Sequence, residues 1–152
     1  MTDARRLEEL TREEALELLA SVAVGRVVFS HRALPAIRLV NHLVTSDRII
    51  IRADLGSALS DEVDPEGGMV VAYEGDMLEA GDRIGWSVVV VGRARRVTDK
   101  VAVARYRQAL QPWVSAPMAD VIAIQAEIVT GLRLVPRTWG GSRQDGQPAR
   151  LA

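Results

Sequence analysis

The chain has 152 residues, 48% of them hydrophobic and 26% charged, with a formal net charge of -1. That length and balance describe one folded domain, exclude a disordered chain, and leave no global excess of positive charge to draw in nucleic acid or anionic lipid. The absence of cysteine excludes disulfides, thiolate metal sites, iron–sulfur clusters and cysteine nucleophiles together.

The N-terminal segment alternates charge with leucine and lacks the apolar stretch of a signal peptide. No run elsewhere approaches the ~20 apolar residues needed to span a bilayer. The expectation is a soluble cytoplasmic protein with no membrane partner.

Thr11 followed by Glu14 is a capping box, and Leu16, Leu19 and Ala20 recur behind it at helical spacing, which predicts a helix over 11–21 lying on a sheet. From 22 to 30 the texture changes to β-branched residues without a helical stripe, a first strand. Pro35 opens a second strand over 36–44. Thr45, Ser46, Asp47 and Arg48 make a polar turn into a third, Arg-Ile-Ile-Ile-Arg-Ala, over 48–53. Strands joined by short turns are antiparallel, which argues against a parallel dinucleotide-binding sheet.

A short helix is predicted over 56–63 and a turn cluster over 64–68, followed by a fourth strand over 69–74. A polar loop containing Gly75, Gly81 and Gly85 precedes a long strand over 86–98, in which Gly92 marks a bulge or barrel corner. Thr98 or Asp99 caps a helix over 101–110. A further short helix is predicted over 117–126, and a last strand over 127–136. The segment 140–152 has no apolar periodicity and is expected to be a mobile tail. Six antiparallel strands with peripheral helices give a mainly β fold, a Greek-key-like, closed or partly open barrel in a single domain over 1–139.

The chemically richest stretch is 35–59, which presents Arg38, Asn41, His42, Arg52 and Ser57 around one hairpin and the helix start behind it. Gly56 and Ser57 would offer free backbone N–H groups and a hydroxyl to an anion, or Ser57 would simply cap the helix. The order of this hairpin, the Met-Val-Val-Ala-Tyr-Glu strand and the Gly-Trp-Ser strand resembles the pyridoxamine 5'-phosphate oxidase-like family of FMN-binding split barrels over about 10–135.

The resemblance implies that Ile37, Arg38, Leu39, Val40 and Asn41 run along a flavin ring. It also implies that Arg52, Ala53 and Ser57 hold the ribityl chain and phosphate, and that Trp86 and Ser87 reach the ring from a second subunit. A homodimer binding FMN, or a deazaflavin coenzyme, and passing hydride to a small-molecule substrate is the implied function. Ala58 stands where much of that family carries a lysine or arginine, which predicts a weaker hold on phosphate.

Two other classes stay open: a non-catalytic carrier of flavin, deazaflavin or haem, and a cofactor-free dimeric scaffold. His31 and His42, with no ordered carboxylates, make a poor metal site. No nucleophile-elbow motif is present for a hydrolase. Arg93, Arg95 and Arg96 lack interleaved aromatics for nucleic acid and are read as a solvated strand end.

Overall fold

Eight strands and three helices fill the residues described by the computed structural model, 5–53, 58–63, 66–110 and 120–136. In chain order they are β1 (Arg6–Glu9), α1 (Arg12–Ala20), β2 (Val24–His31), β3 (Leu34–Thr45), β4 (Arg48–Ala53), α2 (Ala58–Glu62), β5 (Met69–Glu79), β6 (Ile84–Arg96), α3 (Lys100–Ala109), β7 (Asp120–Gln125) and β8 (Ile128–Val135). Every pairing is antiparallel. The strands run β1-β8-β6-β5-β2-β3-β4-β7, and a further pairing of β7 with β6 closes six of them into a ring.

Strand β6 makes the closure possible because it forks. Its first part, Gly85 to Val91, pairs with β8, whereas Ala94 to Arg96 pair with β7. The fork falls at Gly92, where a Cβ atom would stand 1.6 Å from the carbonyl oxygen of Gln125. Only glycine lets β7 approach that closely. The barrel corner read from the sequence at this residue is therefore present, and β8 with β1 forms an extension outside the ring.

The six barrel strands are not the six that the sequence suggests. Residues 120–125, expected in a helix, are strand β7. Ile122 and Ile124 point into the barrel while Val121 and Ala123 face α3. A strand buried on both sides shows no period-two alternation and reads as an undifferentiated apolar run.

The glycine-rich segment after 74 is also strand: β5 continues to Glu79, and the loop shrinks to 80–83. Gly75 leaves room for Leu19 of α1, whose Cδ1 lies where its Cβ would be. β1, an exposed charged edge strand, has no sequence pattern of its own and is held by its ladder to β8. The expected tail over 140–152 and the start of the 56–63 helix lie outside the described residues.

Helix α1 begins as predicted, with Thr11 Oγ1 accepting from the Glu14 amide at 3.2 Å, and it buries Ala15 and Leu19 in the barrel core. A polar pair is built into that core. His42 Nε2 donates to the Leu19 carbonyl at 2.7 Å, and its Nδ1 meets the Tyr73 hydroxyl. Burial pushes the His42 imidazole below its ordinary value of 6.5, against the opposing pull of backbone contacts at Leu19 and Val22, and pushes the Tyr73 phenol up. His42 thus ties α1 to β3 and β5.

Candidate functional site

Alternation along the strands sends one set of side chains into the barrel and the other onto its outside, and the outside divides in two. Over β4 and β7 it is covered by α3: Ile50, Leu110 and Val121 form a small second core with Leu43, Val97 and Tyr106. Over β8, β6, β5, β2 and β3 the described residues place nothing. There, register stands Ile128, Val91, Ala72, Val28 and Ile37 opposite one another in an unbroken apolar row.

Ile37 is 58% exposed and Leu39, in the next row, 65% exposed. That next row is Thr130, Val89, Glu74, Arg26 and Leu39. Arg26 bridges Glu74 at 3.0 Å and Asp76 at 3.4 Å. Burial, together with the neighbouring Asp76, raises the Glu74 carboxyl despite Arg26. A groove of about 340 Å³ between β1, β8 and β6 adjoins this face and includes Ser87, Val89 and Leu132 in its lining.

Strand β3 has a second unusual property. It pairs with β2 from Leu34 to Asn41 but with β4 only from His42 to Thr45. From residue 41 back to residue 34 its other edge has no ladder partner among the described residues, although β4 itself continues, paired with β7, to Ala53. The barrel is split between β3 and β4 at this point. An open strand edge offers backbone N–H and C=O groups to whatever lies beside it.

The residues singled out from sequence distribute unevenly over this frame. Ile37 and Leu39 lie on the bare outer face, and Val40 packs against the core. Arg38 is exposed beside the open edge, its Nη1 donating to the Ile37 carbonyl at 2.9 Å. The Asn41 amide donates to the Ala23 carbonyl at 3.3 Å. Ala53 is in the core, whereas Arg52 shares the α3-covered side and donates to the Leu110 carbonyl at 3.0 Å.

Trp86 is 8% exposed and belongs to the core, so of the pair with Ser87 only Ser87 shares a face with Ile37. Ser57 lies outside the described residues. Sequence reasoning missed Val28, Ala72, Val91 and Ile128. Their signal was strand alternation, but it becomes a surface only once the register is known.

A six-stranded antiparallel ring with an open β3 edge defines the class as a split barrel. The family model for pyridoxamine 5'-phosphate oxidase matches residues 11–142, and the chain belongs to the pyridoxamine 5'-phosphate oxidase-like family. It is 54% identical over 134 residues to the uncharacterized protein Rv0080 of Mycobacterium tuberculosis, covering 87% of this chain and 88% of that one.

Among solved structures, it is similar to a Corynebacterium glutamicum protein provisionally described as a pyridoxamine 5'-phosphate oxidase. The identity is 30% with a TM-score of 0.73, over 86% of this chain and 99% of that one. It is also similar to an FAD binding protein from Mycobacterium smegmatis, at 28% identity and a TM-score of 0.67, over 84% and 97% of the two chains. No described helix is long and apolar enough to cross a membrane.

Proposed function

We propose that the chain is a homodimeric flavin-binding oxidoreductase whose cofactor lies along β3, between the bare outer faces of two copies. The observation that carries this reading is the combination on one strand of exposed Ile37 and Leu39 with an unpaired backbone edge. An isoalloxazine ring needs a flat apolar wall, backbone groups for its polar edge and a cationic donor for its phosphate. Residues 37–39 offer the wall and the backbone edge, and Arg38, whose side chain alternates to the other face of β3, stands beside that open edge as the cation. The FAD binding of the Mycobacterium smegmatis relative supports a flavin of some kind.

Distances within one copy support the dimer if Ser87 also reaches the ring. Ser87 on β6 and Leu39 on β3 are separated by three strand spacings, about 14 Å, so one chain does not bring them to the same ring edge. A two-fold axis through the face brings β6 of one copy toward β3 of the other. Bound flavin would supply hydride transfer with a small organic substrate. The chain's own residues would position the ring, exclude water and hold the phosphate. Arg52, bonded to the α3 terminus, would contribute only if it left the Leu110 carbonyl.

Titration with FMN, FAD and a deazaflavin coenzyme, followed by visible absorbance and sedimentation, tests both parts. The expected result is saturable binding of one of the three by a dimer. Binding of none, or stoichiometric flavin on a monomer, contradicts the reading. Turnover with reduced nicotinamide or reduced deazaflavin then separates an enzyme from a carrier.

A further inference from the structure

A second concave surface lies at the other end of β4 from the flavin segment. Arg48 opens that strand and Ala53 closes it, about 17 Å apart at the rise of an extended chain. Around Arg48, where β7 meets the forked end of β6 and α3 begins, is a groove of about 570 Å³. That is within the range of small-molecule sites, about 300–1,000 Å³. Its lining includes Arg48, Arg93, Arg95 and Arg96, with Gln125 and Thr98.

Three guanidinium groups, those of Arg48, Arg93 and Arg95, belong to the outer face around this depression and repel one another, whereas Arg96 alternates to the other face, toward Asp120 beside Ala53. Asp120 is 3.5 Å from Arg96, which also donates to the Ser60 carbonyl. Asp99, itself on the rim, is committed as the cap of α3, accepting from the Val101 and Ala102 amides at 2.9 and 3.0 Å. Glu127, the other carboxylate of the lining, is exposed. Arg48 and Arg95 have no hydrogen-bond or ion-pair partner among the described residues.

The arginines on β6 are held by the turn beneath them. Gly68 has φ +67°, and a Cβ there would come within 2.8 Å of the Cγ atoms of both Arg93 and Arg95. The bare glycine lets both aliphatic stems lie against the backbone. Arg93 is then fixed by donating to the Gly67 carbonyl at 2.8 Å. The Arg93 guanidinium, held in advance, loses less entropy on meeting an anion, while those of Arg48 and Arg95 stay unpartnered for one.

We infer that this groove is a binding site for a small hydroxylated phosphate ester, with Arg48 and Arg95 holding the phosphate and Thr98 meeting a hydroxyl group, while Gln125, whose Nε2 donates to Asp47 Oδ2 at 2.7 Å, holds the wall between them. Planar forks suit phosphate oxygens in bidentate fashion. Among the described residues no aromatic ring lines the groove, so they offer none of the base stacking that single-stranded nucleic acid needs. The site is independent of the flavin reading, being built from other residues at the opposite end of β4.

The test is calorimetric titration of the full chain with ribose 5-phosphate, ribose and orthophosphate, repeated on Arg48→Gln and Arg95→Gln. Arg83→Gln, in the β5–β6 turn, serves as a control, and thermal unfolding of each variant checks that it folds. Ribose 5-phosphate is expected to bind saturably and more tightly than either fragment. Each groove variant should weaken it by about tenfold or more while Arg83→Gln does not. No saturable binding, equal binding of orthophosphate, or wild-type affinity in folded Arg48→Gln and Arg95→Gln would overturn the assignment.

Discussion

The outside of this barrel has two halves made of the same kind of residue and treated differently. Ile50 and Val121 are sealed beneath α3, while Val28 and Ile37 point outward from the same sheet with none of the described residues over them. The covered half stabilises the fold. The bare half gives little to the isolated chain and would gain value only where another surface removed it from water, so the two halves differ in what they contribute to the fold itself.

Gly92 is the hinge between the halves, and substituting it should have the largest effect. Gly92→Val puts a side chain where the Gln125 carbonyl stands, so β7 must detach or β6 must straighten. Loss of more than about 4 kcal/mol of stability is expected, enough to cost most of the soluble folded protein. Chemical denaturation and soluble yield read this directly. A folded Gly92→Val barrel of wild-type stability would show that ring closure does not depend on that approach.

Next in size is a truncation on the covered half. Ile50→Ala leaves a cavity between β4 and α3 and should lower unfolding free energy by about 2–5 kcal/mol, measured in urea. If Ile50→Ala were as harmless as a surface change, α3 would be a loosely attached cover and the contrast between the halves would collapse.

Much of this frame was legible in the sequence because its signals are local. The capping box at Thr11 and Glu14, the tight turn at Ser46 and Asp47, and a glycine inside a long β-branched run each have one physical explanation. β7 was not legible, since burial on both sides removes the alternation that distinguishes a strand. The site was legible only in part. Ile37 and Leu39 follow from strand parity, but the placement of Trp86 in the core and of Arg52 under α3 depends on which face α1 and α3 cover. That is tertiary information. The open edge of β3 is less visible still, because it is a property of where β4 stops pairing and leaves no mark on β3's own residues.

His42 tests the anchor of the strand that carries the bare residues. In its neutral form, Nε2–H donates to Leu19 and Nδ1 accepts from Tyr73. Protonation turns Nδ1 into a donor and leaves the phenol proton to find another acceptor. Because the folded value is depressed below 6.5, the unfolded chain binds the proton more readily. The stability associated with neutral His42 is full above about pH 6.5 and is lost as pH falls toward the folded value. The slope reaches at most about 1.4 kcal/mol per pH unit. Urea unfolding at a series of pH values should show this decline in the wild type and a shallower one in His42→Gln. Equal slopes would remove His42 as the cause.

The smallest effect on the fold, and the most informative contrast with Ile50→Ala, is expected from Ile37→Ser. The side chain is already 58% exposed, so removing it should change the unfolding free energy of the monomeric chain by no more than about 0.5 kcal/mol. The same substitution places a hydroxyl in the middle of the face proposed to pair with a second copy and to carry the flavin ring. It should therefore shift sedimentation toward monomer and weaken flavin binding while the unfolding curve hardly moves. A residue that is exposed in one copy and buried between two should show that dissociation between folding and association. If Ile37→Ser instead lowered stability as Ile50→Ala does and left association untouched, the bare half would be part of the fold's own packing, and the cofactor would have to be sought elsewhere on the barrel.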